Sequence, residues 1–236
     1  MPNPIFAALD TPDVDQAKAL AETLAGHVGG IKLGLEFFAA NGPDGVRAVT
    51  RPGLPIFLDL KFHDIPNTVA GAVRAVVPLA PAILNVHASG GPAMMRAARD
   101  AAHETATSLG VAPPRVIAVT VLTSLGDDDL AGVGQAGPAR SQAVRLARLT
   151  RDCGLDGVVC APTDVSAIRE ACGPGILLVT PGVRPDWAAK GDQKRIATPA
   201  ATLAAGADYL VIGRPITASD DPAAAATRIL DELRRS

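Results

Sequence analysis

Phe57-Leu58-Asp59-Leu60-Lys61-Phe62-His63-Asp64-Ile65-Pro66-Asn67-Thr68-Val69 places three charged groups, Asp59, Lys61 and Asp64, directly after an apolar run. That run reads as a buried strand. Side chains alternate along a strand, so Asp59 and Lys61 point one way and Leu58 and Leu60 face an apolar layer on the other side. Ile65-Pro66 stops simple continuation of a ladder, and Asn67 and Thr68 are possible caps for the helix that follows. Asp64 falls in the turn, where it either caps that helix or joins a site. Charges at the end of a buried strand are costly unless they are paired or used.

The same strand–turn–helix unit recurs outward in both directions. Apolar, β-rich runs lie at 5–9, 31–33, 56–60, 83–86, 116–122, 157–160, 176–179 and 209–212. Between them lie Ala/Leu/Arg-rich segments such as 14–24, 68–77, 93–109, 141–150 and 164–171. In 141–150, Val144, Leu146, Ala147 and Leu149 recur at helical spacing, with Arg145, Arg148 and Arg151 on the wetter side. The near-continuous apolar character of the strands fits parallel strands covered on both faces. Eight such units in 236 residues predict an α/β protein of the (β/α)₈ TIM-barrel class, for which roughly 250 residues is typical. A doubly wound sheet is the alternative, but the chain has no G-x-G-x-x-G turn after its first strand. No linker with a change of composition divides the chain, so residues 1–236 are expected to form a single barrel domain.

A second strand, Gly30-Ile31-Lys32-Leu33-Gly34, carries a lysine in an otherwise apolar run. Convergence of Lys32, Asp59, Lys61 and Asp64 would give an alternating Lys-Asp-Lys-Asp array in which each charge is compensated by its neighbours. In a barrel of this kind, active groups lie at the C-terminal ends of the strands and in the loops that follow. Polar residues stand there repeatedly: Asp10, Lys32, Asp59 and Lys61, Asn85 and His87, Thr123-Ser124, Thr180 and Arg184, and Gly213-Arg214.

Two segments suit an anion. Thr180-Pro181-Gly182-Val183-Arg184 offers a turn and a guanidinium, and Gly213-Arg214 offers close backbone approach and a second guanidinium. Loops after strands seven and eight are the usual phosphate site of these barrels, and arginine's planar fork matches phosphate. Between them, 186–195 is polar with little apolar period and reads as a loop able to close over a ligand, with Gln193 able to reach it. Gly126-Asp127-Asp128-Asp129-Leu130 reads as a shorter lid, a solvated run or an acidic helix start.

Composition excludes several classes. A formal net charge of −2 argues against a nucleic-acid partner. No apolar run approaches the roughly 18 residues of a membrane span, and the first residues show no signal-peptide pattern. A cytoplasmic location is expected. Cys153, Cys160 and Cys172 lack C-x-x-C spacing and read as small buried residues. His27, His63, His87 and His103 are scattered, although His63 and His87 lie near strand ends and could border a site. Nothing in the pattern points to zinc or a redox metal.

Taken in order, Ala8-Leu9-Asp10, Ile31-Lys32-Leu33-Gly34, the Asp59-to-Val69 run, Asn85-Val86-His87-Ala88-Ser89-Gly90-Gly91, Val121-Leu122-Thr123-Ser124, Thr180-Pro181-Gly182-Val183-Arg184-Pro185 and Ile212-Gly213-Arg214-Pro215-Ile216 resemble the orotidine 5′-phosphate decarboxylase family in its shorter bacterial form. The resemblance runs from end to end, and the Asp59-to-Thr68 run is its most specific part. It implies a homodimeric barrel converting a nucleotide, orotidine 5′-phosphate, to UMP and CO₂ with no metal or organic cofactor. Lys61 would protonate C6, Asp59 would lie beside the substrate carboxylate, and Lys32 would hold Asp59 and a ribose hydroxyl. Asp64, with Thr68 beside it, would reach into the neighbouring subunit's site. Asp10 would bind ribose, and Thr123 and Ser124 would read the pyrimidine edge. Arg184, Gln193, Gly213 and Arg214 would hold phosphate. Sugar-phosphate enzymes on similar barrels also show Asp-x-Lys-x-x-Asp, but use magnesium and carry an acidic residue where Lys32 stands. A silent nucleotide-binding barrel would be expected to lose part of the Lys32, Asp59, Lys61, Asp64 set, and none is lost.

Overall fold

A computed structural model describes residues 3–50, 53–135, 137–188 and 196–235. Its strands are β1 (Ile5–Ala8), β2 (Gly30–Gly34), β3 (Ile56–Phe62), β4 (Ile83–His87), β5 (Arg115–Val119), β6 (Gly157–Val159), β7 (Leu177–Thr180) and β8 (Tyr209–Ile212). Each pairs in parallel with the next, and β8 pairs with β1, closing the barrel. The helices are α1 (Val14–Leu24), α2 (Leu35–Val49), α3 (Pro66–Val76), α4 (Gly91–Leu109), α5 (Asp127–Gly132), α6 (Ala139–Asp152), α7 (Val165–Cys172), α8 (Pro199–Ala204), α9 (Arg214–Thr217) and α10 (Pro222–Arg235). The expected TIM barrel is therefore the observed fold.

The strand alternation builds two cores from one set of residues. Ile5, Ala7, Ile31, Leu33, Leu58, Leu84 and Val116 face outward and pack under the helices. Phe6, Ala8, Phe57, Ile83, Ile117, Val119, Val159, Val179 and Val211 form a second cluster that fills the barrel. Phe6 meets Phe57 and Tyr209 edge to face, with ring centroids 6.4 and 5.2 Å apart, an arrangement favoured by the ring quadrupoles. Gly30 makes room for this plug: a Cβ there would come within 2.4 Å of the Phe6 ring.

Several local expectations shift. The helix between β2 and β3, α2, was not among the helical segments named from the sequence, although eight strand–helix units imply one there. Its periodicity is broken by Gly42, at φ 59° and ψ −160°, followed by Pro43. Strand β5 ends at Val119 rather than 122, because Thr120 closes the ladder on the Val159 carbonyl and the chain then turns at Leu122–Leu125. Asn67 and Thr68 do not cap α3. Pro66 occupies its first turn, where a missing N–H costs nothing, and Ile65 stands at the cap position without a side-chain bond. The three aspartates 127–129 are an acidic helix start: Asp129 accepts from the Gly126 N–H (2.7 Å), and Asp127 accepts from the Ala139 N–H (2.7 Å). Cys153 and Cys160 are buried as expected, whereas Cys172 is only half-buried.

Candidate active site

The inward positions of β2 and β3 deliver a chain of charges to the C-terminal mouth. Lys32 Nζ lies 2.9 Å from Asp10 Oδ1 and 3.5 Å from Asp59 Oδ2. Lys61 Nζ lies 2.7 Å from Asp59 Oδ1. Lys32 and Asp59 are buried, while Asp10 and Lys61 reach toward solvent. Burial alone would lower the Lys32 pKa, but attraction to Asp59 and Asp10, with hydrogen bonds to both, outweighs it and raises the ammonium above its usual range. Burial likewise works to raise Asp59, and is outweighed by Lys32, Lys61 and hydrogen bonds from Lys61 and Asn85, which hold the carboxylate below its usual range. Both groups therefore stay charged inside the barrel.

Lys61 does not sit in regular strand. Its φ is 52°, in the left-handed region, which a residue carrying a Cβ adopts only at a cost. The β3–β4 ladder slips at the same place: Leu58 pairs with Leu84, and the next pair is Phe62 with Val86. Asn85, buried in the gap, accepts from the Lys61 N–H (2.8 Å) and donates to Asp59 Oδ1 (2.7 Å). Such bulges re-aim side chains beside sites.

A cavity of about 190 Å³ opens over this cluster, lined by Lys32, Phe57, Asp59, Lys61, Thr123, Cys160, Pro181 and Val211 among others. One liquid water occupies roughly 30 Å³, so the space suits an organic ring better than a single solvent molecule. Its lining combines apolar side chains (Val119, Val121, Leu122, Val159) with the charged groups of Lys32, Asp59 and Lys61. Beside it, His63 and His87 stack with centroids 5.4 Å apart. Burial first, then the neighbouring His63 and Lys61, pushes His87 down to about 4, so its ring is neutral near pH 7.

The remaining expected residues divide into two groups. Gly213 lies beside Asp10, since a Cβ on it would stand 3.6 Å from Asp10 Oδ2, and Arg214 opens α9 directly after it. Arg184 is buried after β7, with Nη1 donating to the Val183 carbonyl (2.9 Å). Ser124 is exposed and next to Thr123, which lines the cavity. Within one chain Asp64 stands apart from Lys32, Asp59 and Lys61. It is exposed in the turn beyond β3, accepts from the Ile65 N–H (2.6 Å), and lines a separate open hollow with His63, Ile65, Pro66, Ser89 and Gly90. Within one chain the alternation is thus Asp10–Lys32–Asp59–Lys61. Thr68, on the first turn of α3, is also exposed. Gln193, with 189–195 of the expected closing loop, lies outside the described residues. The start of that loop is fastened: Trp187 Nε1 donates to Glu232 (3.2 Å), and Arg228 stacks 4.6 Å above its ring.

A family model described as Orotidine 5′-phosphate decarboxylase / HUMPS family matches residues 3–229. The chain belongs to the orotidine 5′-phosphate decarboxylase / HUMPS family. It is 63% identical over 98% of its length to a Rhodospirillum rubrum protein named orotidine 5′-phosphate decarboxylase, covering 94% of that relative. A protein of the same name from Paramagnetospirillum magneticum is 58% identical, with 99% of both chains covered. Among solved structures, orotidine 5′-phosphate decarboxylase from Lactobacillus acidophilus superposes with a TM-score of 0.86 at 37% identity, over 98% of this chain and 99% of that one.

Two residues that shape this cluster, Asn85 and Gly34, were not among the expected site residues. Asn85 had been noted only as a polar strand end, although a carboxamide inside an apolar strand carries the same signal as Lys32. Gly34 ends the strand that carries Lys32 with no role expected of it: a Cβ there would stand 2.9 Å from Lys32 Nζ and 3.6 Å from Asp10 Oδ1. Among the described residues, no three His, Cys, Asp or Glu side chains form a metal-ligand set, and no helix is long and apolar enough to cross a membrane.

Proposed function

We propose that this chain, as one barrel domain, decarboxylates orotidine 5′-phosphate to UMP and CO₂ without a metal or organic cofactor. The observation that carries the reading is Asp59, buried and held ionised between the ammonium groups of Lys32 and Lys61 at the floor of a ring-sized cavity. Loss of CO₂ leaves an electron pair at C6, and no cofactor ring is needed if a fixed cation stands beside it. Lys61 is that cation, and its Nζ then delivers the proton to C6. Asp59 faces the substrate carboxylate, and its repulsion is relieved as CO₂ departs. Lys32 fills the space between Asp10 and Asp59, so these carboxylates are occupied by an ammonium, unlike those of a magnesium-dependent sugar-phosphate enzyme.

Lys32 and Asp10 also take the ribose hydroxyls, Thr123 and Ser124 the pyrimidine edge, and Arg184, Gln193, Gly213 and Arg214 the phosphate. That grip supplies binding energy remote from the reacting carbon. Asp64 and Thr68 act in a second copy's site across a homodimer. Their exposure supports this, as does Ile65, a large apolar residue left 67% exposed beside them. Mixing inactive Lys61→Ala and Asp64→Asn protomers restores one working site per heterodimer on this reading. Heterodimers that form and stay inactive would exclude a shared site.

The reaction is tested by following the ultraviolet absorbance of orotidine 5′-phosphate with purified protein, with and without a chelator. The expected result is loss of the substrate band at a rate the chelator does not change. No loss of the band, or loss abolished by chelation, overturns the proposal.

A further inference from the structure

The β3–β4 seam contains an irregularity that the proposed reaction does not by itself explain. Between the pairs Leu58 with Leu84 and Phe62 with Val86, β3 supplies Asp59, Leu60 and Lys61 while β4 supplies Asn85 alone. The main chain of Asn85 is engaged on the other side, in register with Ile117 of β5. Its side chain, fully buried, closes the gap on β3: Oδ1 takes the Lys61 N–H and Nδ2 gives a hydrogen to Asp59 Oδ1. The carboxamide thus replaces a missing ladder partner. It also binds the two residues that the proposed chemistry requires to stay at 2.7 Å from each other.

We infer that Asn85 is a positioning residue, whose carboxamide holds Lys61 in its left-handed backbone conformation and fixes the Asp59 oxygen to which the Lys61 ammonium is bonded. The inference rests on the decarboxylase reading above. Three features argue for positioning beyond mere packing. A left-handed lysine persists only when its surroundings over-determine it, and the Asn85 acceptor is the bond on that N–H. An apolar residue at 85 would fill the barrel equally well, yet would leave a buried N–H without this partner. The same amide also touches Asp59, so one rotation of Asn85 would disturb both reacting-group partners at once. Asn85 itself does not line the cavity as the lysines do, so its effect on the substrate is indirect.

Asn85→Ala and Asn85→Asp distinguish this from a structural role. Asn85→Ala is expected to lower kcat about 10²-fold, the scale of a small misplacement of a reacting group, with KM little changed because the phosphate and ribose contacts are untouched. Asn85→Asp keeps the acceptor for the Lys61 N–H but sets a second carboxyl group against Asp59. Two such groups cannot both ionise easily. Its kcat relative to wild type should therefore recover on acidification, as the introduced group takes up a proton and donates again. Variants with wild-type kcat, whatever their melting temperature, overturn the inference. So does a defect confined to KM, a ratio to wild type that does not change with pH, or failure of both variants to fold. A wild-type protein that leaves orotidine 5′-phosphate untouched overturns the underlying reading and this inference with it. The wild-type control thus separates the two failures.

Discussion

The two ends of the barrel interior are built from the same strands and share almost nothing else. At the lower end Phe6, Phe57 and Tyr209 meet edge to face around Ile83, and Gly30 is small so that Phe6 can enter. Two residues further along β3 the inward position is Asp59, then Lys61, and the interior becomes a ladder of alternating charges. The lower layer gains its stability from apolar burial, and Phe57 is its upper boundary, lining the cavity beneath the charges. In the upper layer much of the attraction between Lys32 and Asp59 is used in outweighing their desolvation, which keeps both groups charged. What that layer provides is charge held ready inside a partly dry cavity.

Substitutions should therefore separate the two layers. The largest effect is expected for Lys61→Ala, a loss of at least about 10⁴-fold in kcat, or roughly 5 kcal/mol of barrel-mouth chemistry. Steady-state rates would show it, and retention of a tenth of wild-type activity would remove Lys61 from its role. Next comes Phe6→Ala, expected to cost about 3–5 kcal/mol of unfolding free energy with kcat nearly unchanged. Denaturant titration beside an activity assay tests this, and an unchanged midpoint would refute the plug.

Gly34→Ala should act the other way. The new methyl would stand 2.9 Å from Lys32 Nζ and 3.6 Å from Asp10 Oδ1, so it presses on the charged layer alone and stability should hardly move. The displaced ammonium should nevertheless lower kcat/KM roughly tenfold. A marked fall in melting temperature with intact kcat/KM would count against the distinction between layers.

The smallest effect concerns His87, whose ring is held down to about 4 from an ordinary 6.5. Between those values the unfolded chain takes up a proton at this ring that the folded protein refuses, so acidification through that window favours unfolding. Unfolding titrations at pH 7 and pH 5 should show this loss for wild type and a smaller one for His87→Gln. Equal losses in both proteins would mean that other groups govern the acid limb.

The repeating strand–helix period made the barrel legible in sequence, as did polar residues standing where apolar strands end. Lys32, Asp59 and Lys61 were readable for the same reason: each interrupts an apolar run at the inward phase. Asp64 belonged to the same short segment, but it lies past the end of β3, where alternation no longer dictates direction. The link from Asn85 to Lys61 depends on a slip between two strands, and a slip is a property of the pair rather than of either sequence. Helix α2 was hidden by Gly42-Pro43, a local break that tertiary packing tolerates. Gly34 carries no chemical group of its own. Its contribution is empty space, visible only once Lys32 is folded over it.

Trp187 is the sole tryptophan of the chain, and it stands where the segment after β7 is pinned to α10 by Glu232 and Arg228. The indole is partly exposed and lies against a guanidinium and a carboxylate, surroundings to which its emission is sensitive. The protein therefore carries an intrinsic fluorophore at the root of the segment expected to close. Closure of that segment over a ligand is expected to change the Trp187 emission, which stopped-flow measurement of the unlabelled protein would time without waiting for a product.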